Sequence, residues 1–100
     1  MYHLQNFHYS TVKTHKALET SEITKAVMIL SRSSEFELEY AGIALILNMA
    51  TIGERMIMAV IEAGGVELLT NILLDVTKEP LHTIASKALT TIGRKSTCSI

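Results

Sequence analysis

Apolar residues recur at helical spacing along most of the chain, and short polar or glycine-bearing breaks separate the runs. In "EFELEYAGIALILNMATIG" they fall at Phe36, Leu38, Ala41, Leu45, Ile46 and Met49, steps that trace one helical face. Ser33 and Ser34 stand before this run as N-cap candidates, Glu35, Glu37 and Glu39 suit the positive end of the helix dipole, and Gly53 is a natural stop. A second helix is predicted over Glu54 to Ala63, with Ile57, Val60 and Ile61 on one side. Gly64-Gly65 ends it, since one glycine can take the left-handed conformation past a helix terminus and two permit a sharp turn. A third helix spans about Val66 to Leu74, with Leu69, Ile72 and Leu73 inward, and Asp75 to Lys78 reads as a polar turn. Pro80, the only proline, then sits near the first turn of a long helix through Leu81, Ile84, Ala85, Ala88, Leu89 and Ile92, with Gly93 as its stop.

The two halves of this pattern match when the chain is shifted by about 43 residues, within the range of known helical repeats. Ile23 falls on Val66, Ala26 on Leu69, Ile29 on Ile72 and Leu30 on Leu73; Leu38 falls on Leu81, Ala41 on Ile84, Gly42 on Ala85, Ile46 on Leu89 and Met49 on Ile92. Upstream, Ala17-Leu18-Glu19 falls on Val60-Ile61-Glu62. The expected unit is a short helix, a glycine or polar corner, a medium helix, a polar turn and a long helix. The first copy spans residues 12–53 and the second 54–95, with 1–11 as a tail or the end of a preceding unit and 96–100 as a polar tail.

The stretch "VIEAGGVELLTNILLD", followed by a turn and "ASKALTTIG", resembles an armadillo repeat. In that family the short first helix ends in a glycine pair, and the third closes on Ala-Leu, one residue, Asn-Leu. "LILNMA" fits the latter with Ile46 and Met49 as the apolar pair and Asn48 as the asparagine; "ALTTIG" carries Thr91 in its place. The resemblance covers roughly residues 12 to 95 and implies an all-α, right-handed solenoid of armadillo-type three-helix repeats. It also implies a binding surface on the third helices, where stripe asparagines hydrogen-bond the backbone of an extended peptide. The residues so implicated are Glu37, Tyr40 and Asn48 in one copy and Lys87 and Thr91 in the other. Ala44 and Lys87 stand where the family's peptide-binding tryptophan would, so binding of nuclear-import signals is not expected.

Composition narrows the function further. The chain is 48% apolar and has a net charge of −1 with both signs interspersed, so it lacks the basic stripe that tracks a nucleic-acid backbone. Its longest unbroken apolar runs, Ile43–Leu47 and Met56–Ile61, are far too short to span a bilayer. Cys98 has no second cysteine to pair with, which fits a reducing compartment and a cytoplasmic or nuclear location. Cys98 also lies in a polar tail unsuited to a preorganised catalytic site. His3, His8 and His15 do not have the spacing of zinc ligands on a helix, and His82 reads as exposed near the start of the last helix. Glu35, Glu37 and Glu39 read as a solvated helix end, and the methionines as core filler, with Met56 or Met58 available to an apolar contact surface. Serines after basic residues, as in Arg32-Ser33 and Arg94-Lys95-Ser96, belong to a turn and a tail.

No enzyme activity, cofactor or metal is expected. The expected function is a protein-interaction module or scaffold that binds a protein or extended peptide. Two units are few for a stable stack, so self-association through exposed repeat ends is a second expectation. The alternatives are a purely structural segment of a larger solenoid or oligomer, and a regulatory armadillo protein acting on a small GTPase or as an assembly chaperone.

Overall fold

The structure, a computed structural model, describes residues 20–96. They form helix α1 (20–31), α2 (Phe36–Ile52), α3 (Glu54–Glu62), α4 (Gly65–Leu74), a 3-10 segment (Val76–Leu81) and α5 (His82–Ser96). Among the described residues there is no strand, and no single helix is long and apolar enough to cross a membrane. The short helix expected over 12–19, His3, His8, His15 and Cys98 lie outside the described residues.

The corner between α3 and α4 bends the chain by 68° and assigns its two glycines different tasks. Gly64 adopts φ 88°, ψ 21°, a left-handed conformation that a β-carbon disfavours. Its carbonyl accepts the Leu68 N–H at 3.0 Å, the first bond of α4, while its own N–H donates to the Ile61 carbonyl at 3.0 Å. Gly65 is buried against Val60, and a β-carbon there would lie 2.9 Å from the Val60 carbonyl oxygen and overlap its side chain. Gly53, the expected stop of α2, does stand between α2 and α3, but at φ 166°, ψ 177° its backbone is extended. Any residue adopts that conformation.

Three other boundaries differ from the expectation. The N-cap of α2 is Glu35 rather than Ser33 or Ser34; Ser33 Oγ accepts the Glu35 N–H at 3.1 Å, ordering the approach. Asp75 heads the 3-10 segment that occupies the expected polar turn, with Thr77 donating both its N–H (2.9 Å) and its hydroxyl (2.6 Å) to Oδ1. Pro80 lies in that segment, and α5 passes Gly93 and runs on to Ser96, because a glycine within a helix weakens it without ending it.

The core is one cluster that includes Val27 and Met28 of α1, Ile43, Ile46 and Met49 of α2, Ile57 and Val60 of α3, Leu69 and Ile72 of α4, and Ala85, Ala88 and Ile92 of α5. α2 and α5 lie side by side and run in the same direction. Lys78, just before α5, pairs with Glu39 near the start of α2, and Lys95 near the end of α5 donates to the Thr51 carbonyl near the end of α2 at 3.5 Å. α1 crosses α2 at Gly42, where a β-carbon would come within 2.5 Å of the Ser31 backbone nitrogen.

That crossing selects the inner face of α2. Leu38 and Leu45, expected in the core, are exposed, as are Phe36 and Ala41; the buried arc is Glu39, Gly42, Ile43, Ile46, Met49 and Ala50. α2 is apolar around most of its circumference, so spacing alone does not choose the face. The close approach of α1 requires Gly42 to point inward and carries its arc with it.

The helices have a repeat-like arrangement, and burial recurs along them in its own register. Buried positions of α2 recur 42 residues later in α5 and in Leu81 just before it: Glu39 with Leu81, Ile43 with Ala85, Ile46 with Ala88, Met49 with Thr91 and Ala50 with Ile92. In α1 and α4 they coincide 41 apart, as for Met28 with Leu69 and Ser31 with Ile72. The apolar pattern aligns at 43. One residue is about 100° of helix rotation. The buried side is thus rotated by about 100° between α2 and α5, and by about twice that between α1 and α4, relative to the apolar pattern.

Candidate functional site

The solvent side of α2 holds three of the implicated residues. Glu37, Tyr40 and Asn48 are exposed at steps of three and eight residues, with half-buried Ala44 between the last two. The Tyr40 ring lies 6.0 Å from Phe36 at a 42° tilt, and both rings stay accessible. Asn48 gives its main-chain carbonyl to the Thr51 hydroxyl at 2.7 Å and leaves its amide to solvent. An amide offers a donor and an acceptor together, the pair that an extended peptide backbone needs.

On α5, Lys87 is exposed and Thr91 is not. Thr91 retains 8% of its surface, and its hydroxyl is donated to the Lys87 carbonyl at 2.8 Å. The reason is the rotation between halves: the position 43 residues after Asn48 turns inward in the second copy. The accessible side of α5 instead carries Thr83, Lys87, Thr90 and Arg94. Its last turn is basic, with Arg94 and Lys95, while the first turn of α2 is acidic with Glu37 and Glu39.

A polar groove of about 460 Å³ opens elsewhere, between the end of α1, the start of α2 and α4; Ser31, Arg32, Glu39, Glu67, Asn71 and Lys78 are among its lining residues. Glu39 was expected to be solvated like its neighbours. It is 5% exposed and paired with Lys78. Glu39 stands three, four and seven residues before Gly42, Ile43 and Ile46, all on the buried arc, whereas Glu35 and Glu37 do not share that face. Once Gly42 is known to face inward, that spacing identifies the buried carboxylate.

At the groove's edge, the Thr77 hydroxyl and N–H hold the Asp75 carboxyl below the ordinary carboxylate range, against a small opposing effect of desolvation. Lys78 and His82 add weaker attraction in the same direction. His82, expected to be exposed, is half-buried, and its Nε2 donates to the Asp75 carbonyl at 2.9 Å. Met28 and Met49 are core residues, while Met58 is exposed. No group of three or more metal-ligating side chains converges among the described residues.

No protein-family model, curated protein or solved structure matches the chain.

Proposed function

We propose that the chain is a helical-repeat module of the armadillo type that binds a protein or extended peptide along the solvent side of α2 and α5. The observation that carries this reading is the parallel, side-by-side placement of these two helices, tied at Glu39–Lys78 and Thr51–Lys95. Equivalent helices stacked in one direction make an elongated surface that repeats along its length. On that surface Tyr40 supplies aromatic area, Asn48 a backbone-reading amide, and Glu37 and Lys87 charges of opposite sign, the residue types that concentrate binding energy or fix register. Thr91 is left out of this surface because its hydroxyl is already committed to the Lys87 carbonyl.

The test is selection of extended peptides on the folded chain, followed by calorimetry on Tyr40→Ala, Asn48→Ala and Lys87→Glu. Each should weaken the selected peptides roughly 5- to 150-fold, the equivalent of losing about 1–3 kcal/mol, with an unchanged unfolding temperature. Peptides that bind all three variants at full affinity would contradict the proposal.

A second reading, a structural segment whose main contacts are with other helices, is favoured by one observation. Ile29, Leu38 and Leu45 are exposed although the residues 43 positions later, Ile72, Leu81 and Ala88, are buried.

A further inference from the structure

α2 leaves Leu38, Leu45 and Ile52 exposed, the last at 69%. α4 exposes Val66 and Leu74 beside Thr70, while the exposed residues of α5 include Thr83, Ser86, Lys87 and Thr90. Leu38, Leu45 and Ile52 stand every seven residues on α2, with Ala41 and Asn48 three residues after the first two. That is the spacing of a seam that receives another helix, and it is about 21 Å long at 1.5 Å per residue.

We infer that this seam is a homodimer interface, in which α2 of a second copy lies antiparallel across α2 about a two-fold axis at Leu45. A like-to-like contact covers Leu38, Leu45 and Ile52 of both copies at once, and such a contact is isologous. The charges fix the direction. Glu35 and Glu37 are exposed at the start of α2, and Arg55, exposed just beyond its end, forms no ion pair among the described residues. An antiparallel pair brings each copy's glutamates toward the other's Arg55 and opposes the helix dipoles; a parallel pair would set glutamate against glutamate. Leu38 then faces Ile52 of the second copy, and Leu45 faces its own counterpart. This inference does not rest on the proposed peptide-binding reading; Glu37 and Asn48 belong to both surfaces, so a peptide and a second copy exclude each other there.

Oligomeric state decides it. Sedimentation equilibrium of the whole chain should return twice the monomer mass. Leu45→Glu, and independently Leu38→Glu, should halve that mass without changing the helical circular dichroism, since both positions are exposed in the single chain. In a Cys98→Ser background, Leu45→Cys should form a disulfide-linked dimer under mild oxidation. Glu35→Lys should weaken the dimer several-fold, and adding Arg55→Glu should restore it. Overturning results are a monomeric whole chain, a dimer that survives both glutamate substitutions, or no cross-link at Leu45→Cys. A photo-cross-linker at Leu45 that reacts with residues 1–19 of the same chain would likewise assign the seam to that segment and overturn the dimer.

Discussion

Glu39 and Lys78 form an ion pair across 39 positions of sequence, joining the first turn of α2 to the segment that leads into α5. The Glu39 side chain is 7% exposed and that of Lys78 36%. The lysine is therefore what makes a carboxylate tolerable on the buried arc of α2. Removing only the lysine leaves the charge without its partner. Lys78→Met should cost about 1–3 kcal/mol, less than for a fully buried pair because the ammonium keeps part of its hydration. Glu39→Met combined with Lys78→Met should fall within about 1 kcal/mol of the parent. Urea unfolding of the three proteins checks this; a Lys78→Met variant as stable as the parent would show that the pair is incidental.

The glycine corner makes a sharper prediction because its two residues fail for different reasons. Gly64→Ala meets the left-handed backbone and should lose about 1–2 kcal/mol. Gly65→Ala meets Val60 and should lose about 1–3 kcal/mol through overpacking. Only the second should couple to its neighbour: Val60→Ala should suppress part of the Gly65→Ala cost and none of the Gly64→Ala cost. A double-mutant cycle by thermal unfolding measures the coupling. Equal coupling at both glycines would mean the corner has been misassigned.

Asp75 sets an acid limit on the 3-10 segment. Its folded-state pKa lies below the ordinary value, so its contribution to stability is fully present above about pH 4 and is lost as the pH falls through the lower folded value. The stability difference between the parent and Asp75→Ala should therefore be flat from neutral pH to the ordinary carboxylate range and shrink below it. Thr77→Val, which removes the donor with the largest effect, should shift the Asp75 titration upward when followed by NMR. An unmoved titration in Thr77→Val would contradict the assigned cause.

The chain's pattern made some of this legible and hid the rest for physical reasons. α3 and α4 are short, one-sided and separated by a glycine pair, so their ends and their inner residues Ile57, Val60, Leu69 and Ile72 were readable directly. α2 was readable as a helix but not in its rotation, because Leu38 and Leu45 are as apolar as Ile43 and Ile46. The crossing of Ser31 over Gly42, a contact between segments, is what distinguishes them. The same ambiguity misplaced Thr91. Alignment of apolar residues at 43 compares the intrinsic faces of equivalent helices, whereas burial at 42 reports which side meets a neighbour. Of the implicated surface, Glu37, Tyr40, Asn48 and Lys87 are exposed and Thr91 is not. The buried Glu39 was hidden among three alternating glutamates that differ only in phase.

The parallel stacking of α2 on α5 underlies both the repeat relationship and the proposed surface, and one set of distances tests it most directly. With Cys98→Ser as background, spin labels go on Asn48 with Thr90, and separately on Glu37 with Thr90, all three labelled positions being exposed. Labelled protein is diluted with unlabelled chain so that only distances within one molecule are read. Parallel packing places Asn48 beside Thr90, with helix axes about 10 Å apart, and places Glu37 eleven residues back along α2, farther from Thr90 by on the order of 10 Å. Dipolar electron paramagnetic resonance should return that order. A Glu37–Thr90 distance equal to or shorter than the Asn48–Thr90 distance would contradict it.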